Sequence, residues 1–201
     1  MARAARRRRG VIARPLSPLG PTLETPRLWL RPPSVEDFEA WAAFLGDAEA
    51  ARHIGGTQPR ATAWRSLATM VGAWHLNGSA MFSLIDKRSG RWLGRVGPWR
   101  PEGWPGTEVG WGVVRDAWGH GYAHEAATVT IDWAFDVLGW SEVIHTIDPD
   151  NVASKGVARK LGSCRLRMGR LPEPYHELPV EIWGQSRAEW NAARARRQRI
   201  P

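Results

Sequence analysis

The sequence predicts an α+β fold built on one mixed sheet, and three observations carry that expectation. Two short strands, Met81 to Ile85 and Trp92 to Val96, are joined by Lys87-Arg88-Ser89-Gly90, a hairpin signal. Thr107 to Val114 then alternates Val109, Trp111 and Val113 against Glu108, Gly110, Gly112 and Val114, which is the period of a strand. It passes through a glycine turn into a helical repeat of Ala123, Ala127, Ile131, Ala134 and Leu138, and a second apolar strand, Val143 to Ile147, follows. Early hairpins and a central strand-helix-strand crossover together mix antiparallel with parallel pairing.

The remaining elements follow in chain order. Pro15, Pro18, Gly20 and Pro21 read as a linker, after which Arg27 to Arg31 alternates as a first strand that Pro32-Pro33 ends. Ser34 with Asp37 resembles a capping box, and Phe38, Trp41, Ala42 and Leu45 then share one helical face up to Gly46. A short helix from Ala48 to His53 and a loop from Gly55 to Pro59 lead to a longer helix, Thr62 to Asn77, with Leu67, Met70, Val71 and Trp74 on one face. Gly139 is placed to stop the central helix. A second helix opens at Asn151-Val152-Ala153-Ser154 and ends at Leu161-Gly162. Cys164 to Met168 and Leu178 to Trp183 are further strands, and Ser186 caps a last helix carrying Trp190. Thirteen tryptophans are more than a core of this size absorbs, so some are expected to be partly exposed.

A length of 201 residues fits one domain, expected over residues 22–193, between a basic, disordered arm at 1–21 and a basic tail at 194–201. The net charge of +8 suggests nucleic acid until it is located. Six arginines precede the first acidic residue and four follow Ala193, so the body between them is slightly acidic. The tails read as solvated charge runs or, more sharply, as arms that touch RNA or ribosomes through phosphates; no base-reading motif accompanies them. An upstream start codon wrongly chosen would also account for the first arm. A transit peptide is disfavoured because apolar residues are sparse before Val11. The single cysteine, Cys164, fits a reducing, cytoplasmic setting and is expected to be a small buried residue rather than a nucleophile. No apolar run approaches the roughly 20 residues of a membrane helix, so no membrane partner is expected.

Two glycines on one face of the Glu108 strand imply that something approaches its backbone closely. Beyond it, Gly119 and Gly121 let a phosphate reach the unpaired amides at the start of the following helix. A glycine turn alone fits a ligand-free turn equally well. With Glu108-Val109-Gly110-Trp111, Trp118-Gly119-His120-Gly121-Tyr122-Ala123-His124-Glu125-Ala126 and Asn151-Val152-Ala153-Ser154 through Lys160-Leu161-Gly162 in this order and spacing, the chain resembles the GNAT superfamily of acetyl-CoA-dependent N-acetyltransferases. The closest resemblance is to the RimJ/RimL-like branch, and it covers roughly Glu24 to Trp190.

The resemblance implies a mostly antiparallel sheet flanked by helices, with two central strands that splay apart. It implies acetyl-CoA as co-substrate, without a metal, and direct transfer to an amine in a ternary complex. The diphosphate is expected on Trp118, Gly119, His120, Gly121, Tyr122 and Ala123, with the amides of Val113 and Val114 on the pantetheine arm and thioester, and Asn151 closing the slot.

An alkylammonium must lose its proton before it attacks, and Glu108 is the expected base, through water, or else the carboxylate that orients the cationic acceptor. His145 is the reserve base, or a satisfied core histidine. Many relatives have glutamine or arginine where this chain has Trp118, and a thiolate-protonating tyrosine where it has Ala158. That leaves Ser154 as the candidate acid, with a helix-capping role as the alternative. Ser163, where an aromatic is usual, bears on packing. Trp99, Trp104 and Trp111 are the candidate acceptor pocket, or core filler. The acceptor is a small-molecule or peptide amine, and the protein is a monomer or homodimer. Rival readings are an inactive acyl-CoA-binding module, a nucleic-acid-associated protein, and transfer of a longer acyl group.

Overall fold

The computed structural model describes residues 19–198, so the arginines of the N-terminal arm lie outside the described residues. The strands are β1 (Leu23–Glu24), β2 (Leu28–Arg31), β3 (Phe82–Asp86), β4 (Trp92–Trp99), β5 (Glu108–Val113), β6 (Glu142–Ile147), β7 (Cys164–Arg170) and β8 (Pro179–Ser186). The helices are α1 (Phe38–Gly46), α2 (Ala48–Ala51), α3 (Arg60–Asn77), α4 (Tyr122–Asp136), α5 (Val152–Leu161) and α6 (Arg187–Gln198). β1 lies between the expected linker, Pro15 to Pro21, and the expected first strand: Leu23 and Glu24 pair with Leu30 and Trp29. α3 starts two residues early because the Pro59 carbonyl already accepts from Thr62 and Ala63. At the start of α1, Asp37 accepts from the Ser34 amide, as expected of half a capping box, while the Ser34 hydroxyl has no partner.

One eight-stranded sheet runs β1-β2-β3-β4-β5-β6-β8-β7. Every neighbouring pair is antiparallel except β5 and β6. β4 and β5 stay in register from Trp99↔Glu108 to Gly94↔Val113, whereas β5 and β6 meet only at Glu108↔Ile144. Beyond that bridge the two central strands part. This opening at the middle of the sheet lies between Glu108 on β5 and the glycine turn that follows it.

Each face of the sheet carries its own core. One holds Leu28, Leu30, Phe82, Val96, Val109 and the α4 residues Ile131 and Phe135, with Trp74 of α3 and Trp190 of α6. The other joins Trp41, Phe44 and Leu45 of α1 to Leu67 and Met70 of α3, Met81 and Trp92. Trp29, Trp64 and Trp118 are each at least 40% exposed, in line with the tryptophan surplus. Among the described residues no helix is long and apolar enough to cross a membrane.

Three expectations change here. Cys164 is exposed, because β7 is the outermost strand and turns most of its side chains to solvent. The helix that Ser186 opens does not end at Ala193: Arg194 donates to Asp132 (2.8 Å) and Asp136 (3.1 Å) of α4, so this arginine of the expected tail belongs to the packing of α6. At the other end, Leu19 packs against the core, and a Cβ on Gly20 would lie 2.3 Å from the Trp74 ring.

Candidate active site

The glycine turn between β5 and α4 forms as its sequence dictates. Gly119 and Gly121 sit at φ 77° and 80°, conformations that side-chain-bearing residues resist. Glu125 is the first amide of α4 to reach back, to the Gly121 carbonyl at 3.0 Å, which leaves the amides before it without an intrahelical acceptor. No atom lies within 4 Å of where a Cβ of Gly119 would stand, so an anion can approach the backbone there. Arg27 of the β1–β2 turn holds this loop from behind. It pairs with Glu125 at 2.6 Å, donates to the His120 carbonyl at 3.0 Å and lies over the Tyr122 ring. The role of Glu125 has no local signal in the sequence, since its partner lies 98 positions away.

The turn opens on a cleft of about 560 Å³ between the α2 end and the start of α5. Val113, Trp118, Gly119, Gly121, Tyr122, Ala123, Asn151 and Ser154 line it; Val114 and His120 do not. Asn151 caps α5 by accepting from the Ser154 amide at 3.0 Å, so the capping role falls to Asn151. The Ser154 hydroxyl accepts from the Trp111 indole at 3.1 Å and keeps its own proton free to donate into the cleft. Ala158, one turn further along α5, is fully buried and offers no acid. His53, beyond α2, and Asp148, before α5, bond at 2.9 Å.

Strand geometry corrects the expected pantetheine contacts. The Val114 amide donates to the Leu93 carbonyl at 2.9 Å and is therefore not available. Alternation turns the N–H groups of Val113 and Trp111 the other way, toward the gap beside β6. The Val113 carbonyl on that edge is taken by the Trp118 indole at 2.7 Å, which gives Trp118 a part in shaping the slot. The paired glycines also have a different reason from the expected ligand. Cβ atoms on Gly110 and Gly112 would meet Met81 Cε at 2.7 Å and Phe44 Cζ at 2.9 Å, so the protein's own core makes the close approach.

His145 closes the opening from the β6 side. Its Nδ1 donates to the Val109 carbonyl at 2.7 Å, while Nε2 accepts from the Ser163 hydroxyl at 3.0 Å, and Ser163 accepts from Gln185 at 2.9 Å. Burial lowers its pKa to about 4, opposed only by the bond to Val109. A neutral imidazole with both nitrogens engaged is a structural strut, so His145 is withdrawn as reserve base. Ser163 is more than packing: its hydroxyl completes this chain of bonds.

Glu108 stands where β5 and β6 begin to part, on the face opposite Val109 and Trp111. It is buried, and every group bonded to it is a donor: the Trp104 indole at 2.5 Å, the Thr146 amide at 3.2 Å and the Thr146 hydroxyl at 2.9–3.0 Å. Burial raises its pKa to about 7 against the opposing effects of those donors and of the Arg95 charge. Trp99 and Trp104 meet edge to face beside it, 6.2 Å between centroids. Trp111 does not join them. Its side chain points to the other face, 4.8 Å from the His145 ring, and lines the cleft. Thr146 and Arg95 escaped the sequence reading, since neither belongs to a motif and each matters only through the strand beside it.

A family model described as an acetyltransferase (GNAT) domain matches residues 27–163. The chain belongs to this family. It is 38% identical over 87 residues to the protein YkkB of Bacillus subtilis, a match that spans 42% of this chain and about half, 51%, of YkkB. It is 29% identical over 136 residues, 66% of the chain and 76% of the relative, to the N-acetyltransferase p20 of Bacillus licheniformis. Among solved structures, an acetyltransferase from Agrobacterium tumefaciens superposes with a TM-score of 0.75 at 26% identity, covering 89% of this chain and all of that one. The ribosomal-protein-S5-alanine acetyltransferase of Vibrio fischeri shares the fold, with a TM-score of 0.65 at 20% identity over 84% of this chain and 98% of its own.

Proposed function

We propose that the protein is an acetyl-CoA-dependent N-acetyltransferase of the RimJ/RimL-like branch that acts on a primary amine, in a peptide or a small molecule, by direct attack within a ternary complex. The observation that carries this reading is Glu108, a buried carboxylate with a pKa of about 7 seated where the central strands part; the glycine-turn cleft, which Glu108 itself does not line, opens further along β5 at Trp111–Val113. The αL glycines and unpaired amides fit a diphosphate, and the exposed edge of β5 fits an extended amide-bearing arm. The ribosomal-protein acetyltransferase among the structural neighbours supports the branch.

When bound, the coenzyme supplies an activated acetyl thioester. The protein's residues then have three tasks. Glu108 takes a proton from the ammonium, directly or through a water, and so frees the nitrogen lone pair for the carbonyl carbon; with a pKa near 7 it is ionised enough to accept and basic enough to be useful. The N–H groups of Val113 and Trp111, facing the gap, stabilise the oxygen that gains charge as the new C–N bond forms. As the C–S bond breaks, the sulfur keeps the electron pair and takes a proton from the Ser154 hydroxyl, which is made good by the second proton that the nitrogen sheds as the amide forms.

The test is thiol release from acetyl-CoA against a panel of amines and N-terminal peptides, with binding measured separately by calorimetry. Turnover of at least one amine, first order in enzyme, is the expected result. Tight coenzyme binding with no thiol release for any amine would point instead to an inactive acyl-CoA-binding module.

A further inference from the structure

On the face of the sheet that carries Glu108, Arg95 has neither an anionic nor a hydrogen-bonding partner among the described residues. Arg95 of β4 is aligned with Gly112 of β5 and Ser83 of β3, and strand alternation puts it on the same face as Trp99 and Glu108. It is half-buried, and among the described residues its guanidinium makes neither an ion pair nor a hydrogen bond; it lies over the Trp41 ring, 5.3 Å from the centroid. The carboxylates around it are already committed. Asp37 accepts from Arg31 at 2.6 and 2.9 Å and from Ser83 at 2.7 Å, and Glu108 is held by Trp104 and Thr146. Burial lowers the Arg95 pKa to about 10, opposed by the nearby Tyr175 and Glu108; it stays protonated at neutral pH.

A guanidinium has five donors, and holding it partly dry without an acceptor destabilises a fold that a methionine of similar length would fill at less cost. Such an arrangement is explained when the missing acceptor arrives with a ligand. Along β5 the rows of Gly112 and Glu108 are four residues apart, roughly 13 Å in an extended strand. Met81 lies against Gly110 between those rows, so a short molecule that meets both charged side chains passes over Met81.

We infer that the acceptor amine carries a carboxylate, and that Arg95 binds this carboxylate while Glu108 faces the amine. The inference rests on the acetyl-transfer reading of the same site. A guanidinium presents paired donors that match a carboxylate's two oxygens, and a single cation with the Glu108 charge nearby suits a singly charged anion better than a dianionic phosphate.

The experiment uses the full chain, acetyl-CoA and matched acceptors: amino acids, their amides, the corresponding alkylamines and aminoalkylphosphonates. Each series is run with wild type, Arg95→Lys and Arg95→Met. The wild type is expected to favour the carboxylate member over its amide by roughly 10²-fold in kcat/KM. Arg95→Met is expected to lose that preference through KM, with acetyl-CoA affinity kept, kcat kept on the high-pH plateau once the Glu108 midpoint has moved up with loss of the Arg95 charge, and a melting temperature no lower than wild type, and Arg95→Lys is expected to fall between. Equal use of acids and amides, a preference for phosphonates, or a preference unchanged in Arg95→Met overturns the inference while leaving acetyl transfer intact. A wild type that binds no acetyl-CoA, or releases no thiol with any amine, overturns the acetyl-transfer reading and this inference with it.

Discussion

Glu108 shows how two opposed effects set one residue's chemistry. Burial alone makes a carboxyl hold its proton, while the Trp104 indole and both Thr146 donors favour the ionised form; the balance lies at about 7. A base works only when ionised, so kcat/KM should rise about tenfold per pH unit below 7 and level off above it. Trp104→Phe removes a donor that favours the anion. The pKa then rises, and the midpoint of the profile should move to higher pH; an unmoved or lower midpoint in a folded variant would count against Glu108 as the titrating group. His145 makes the converse prediction. Its replacement by glutamine should leave that midpoint in place and instead lower stability by about 1–3 kcal/mol, since the Val109 carbonyl and Ser163 lose their partner. Thermal melts alongside pH profiles check both.

At the scale of elements, the glycine turn and its helix act as one unit with the β1–β2 turn. A Cβ on Gly121 would meet nothing closer than the Arg27 guanidinium at 3.6 Å, so the damage from Gly121→Val comes from its φ of 80° rather than from filling the cleft. The loop should leave its left-handed conformation and the amides their common focus, with acetyl-CoA affinity falling at least tenfold by calorimetry. Arg27→Met should act in the same direction but more weakly, because that pair is partly exposed and solvent-screened. The helices and strands around this unit were legible from period and punctuation: Gly121, Gly162 and the Asn151 start all mark real ends, while α3 opens at Pro59 rather than at the expected Thr62. The pairings that tune the site were not. Thr146 reaches Glu108, Gln185 reaches Ser163, and Arg27 reaches Glu125 across strands distant in sequence, and no local periodicity encodes such contacts. Val114 and Trp111 were misplaced for a related reason. Which edge or face a strand residue presents depends on its neighbours' register, and the strand's own pattern does not contain that register.

The whole molecule is a sheet opened at its centre, with a core on each face keeping the opening in shape. The position of the opening was expected from resemblance; its physical cause, a single β5–β6 bridge propped by His145, emerges only in three dimensions. The ends of the chain obey the same logic of burial. Removing residues 1–18 should leave the cooperative thermal transition in place, whereas cutting past Gly20 removes packing against Trp74. Trp190→Ala, at a fully buried site against α4, should cost about 3–5 kcal/mol, while Arg194→Ala should cost no more than about 1 kcal/mol. Denaturant titrations of these variants separate a structural α6 from a dispensable tail.

The most direct measurement of the central claim is the pH profile of acetyl transfer by Glu108→Gln, taken with the acceptor that wild type uses best and with acetyl-CoA affinity measured by calorimetry on the same preparation. The variant keeps the shape of the side chain but cannot accept a proton. The account predicts coenzyme affinity within about twofold of wild type, kcat/KM lower by roughly 10²–10⁴-fold at pH 7, and loss of the rise through that pH. Full turnover across the pH range in this variant would contradict it.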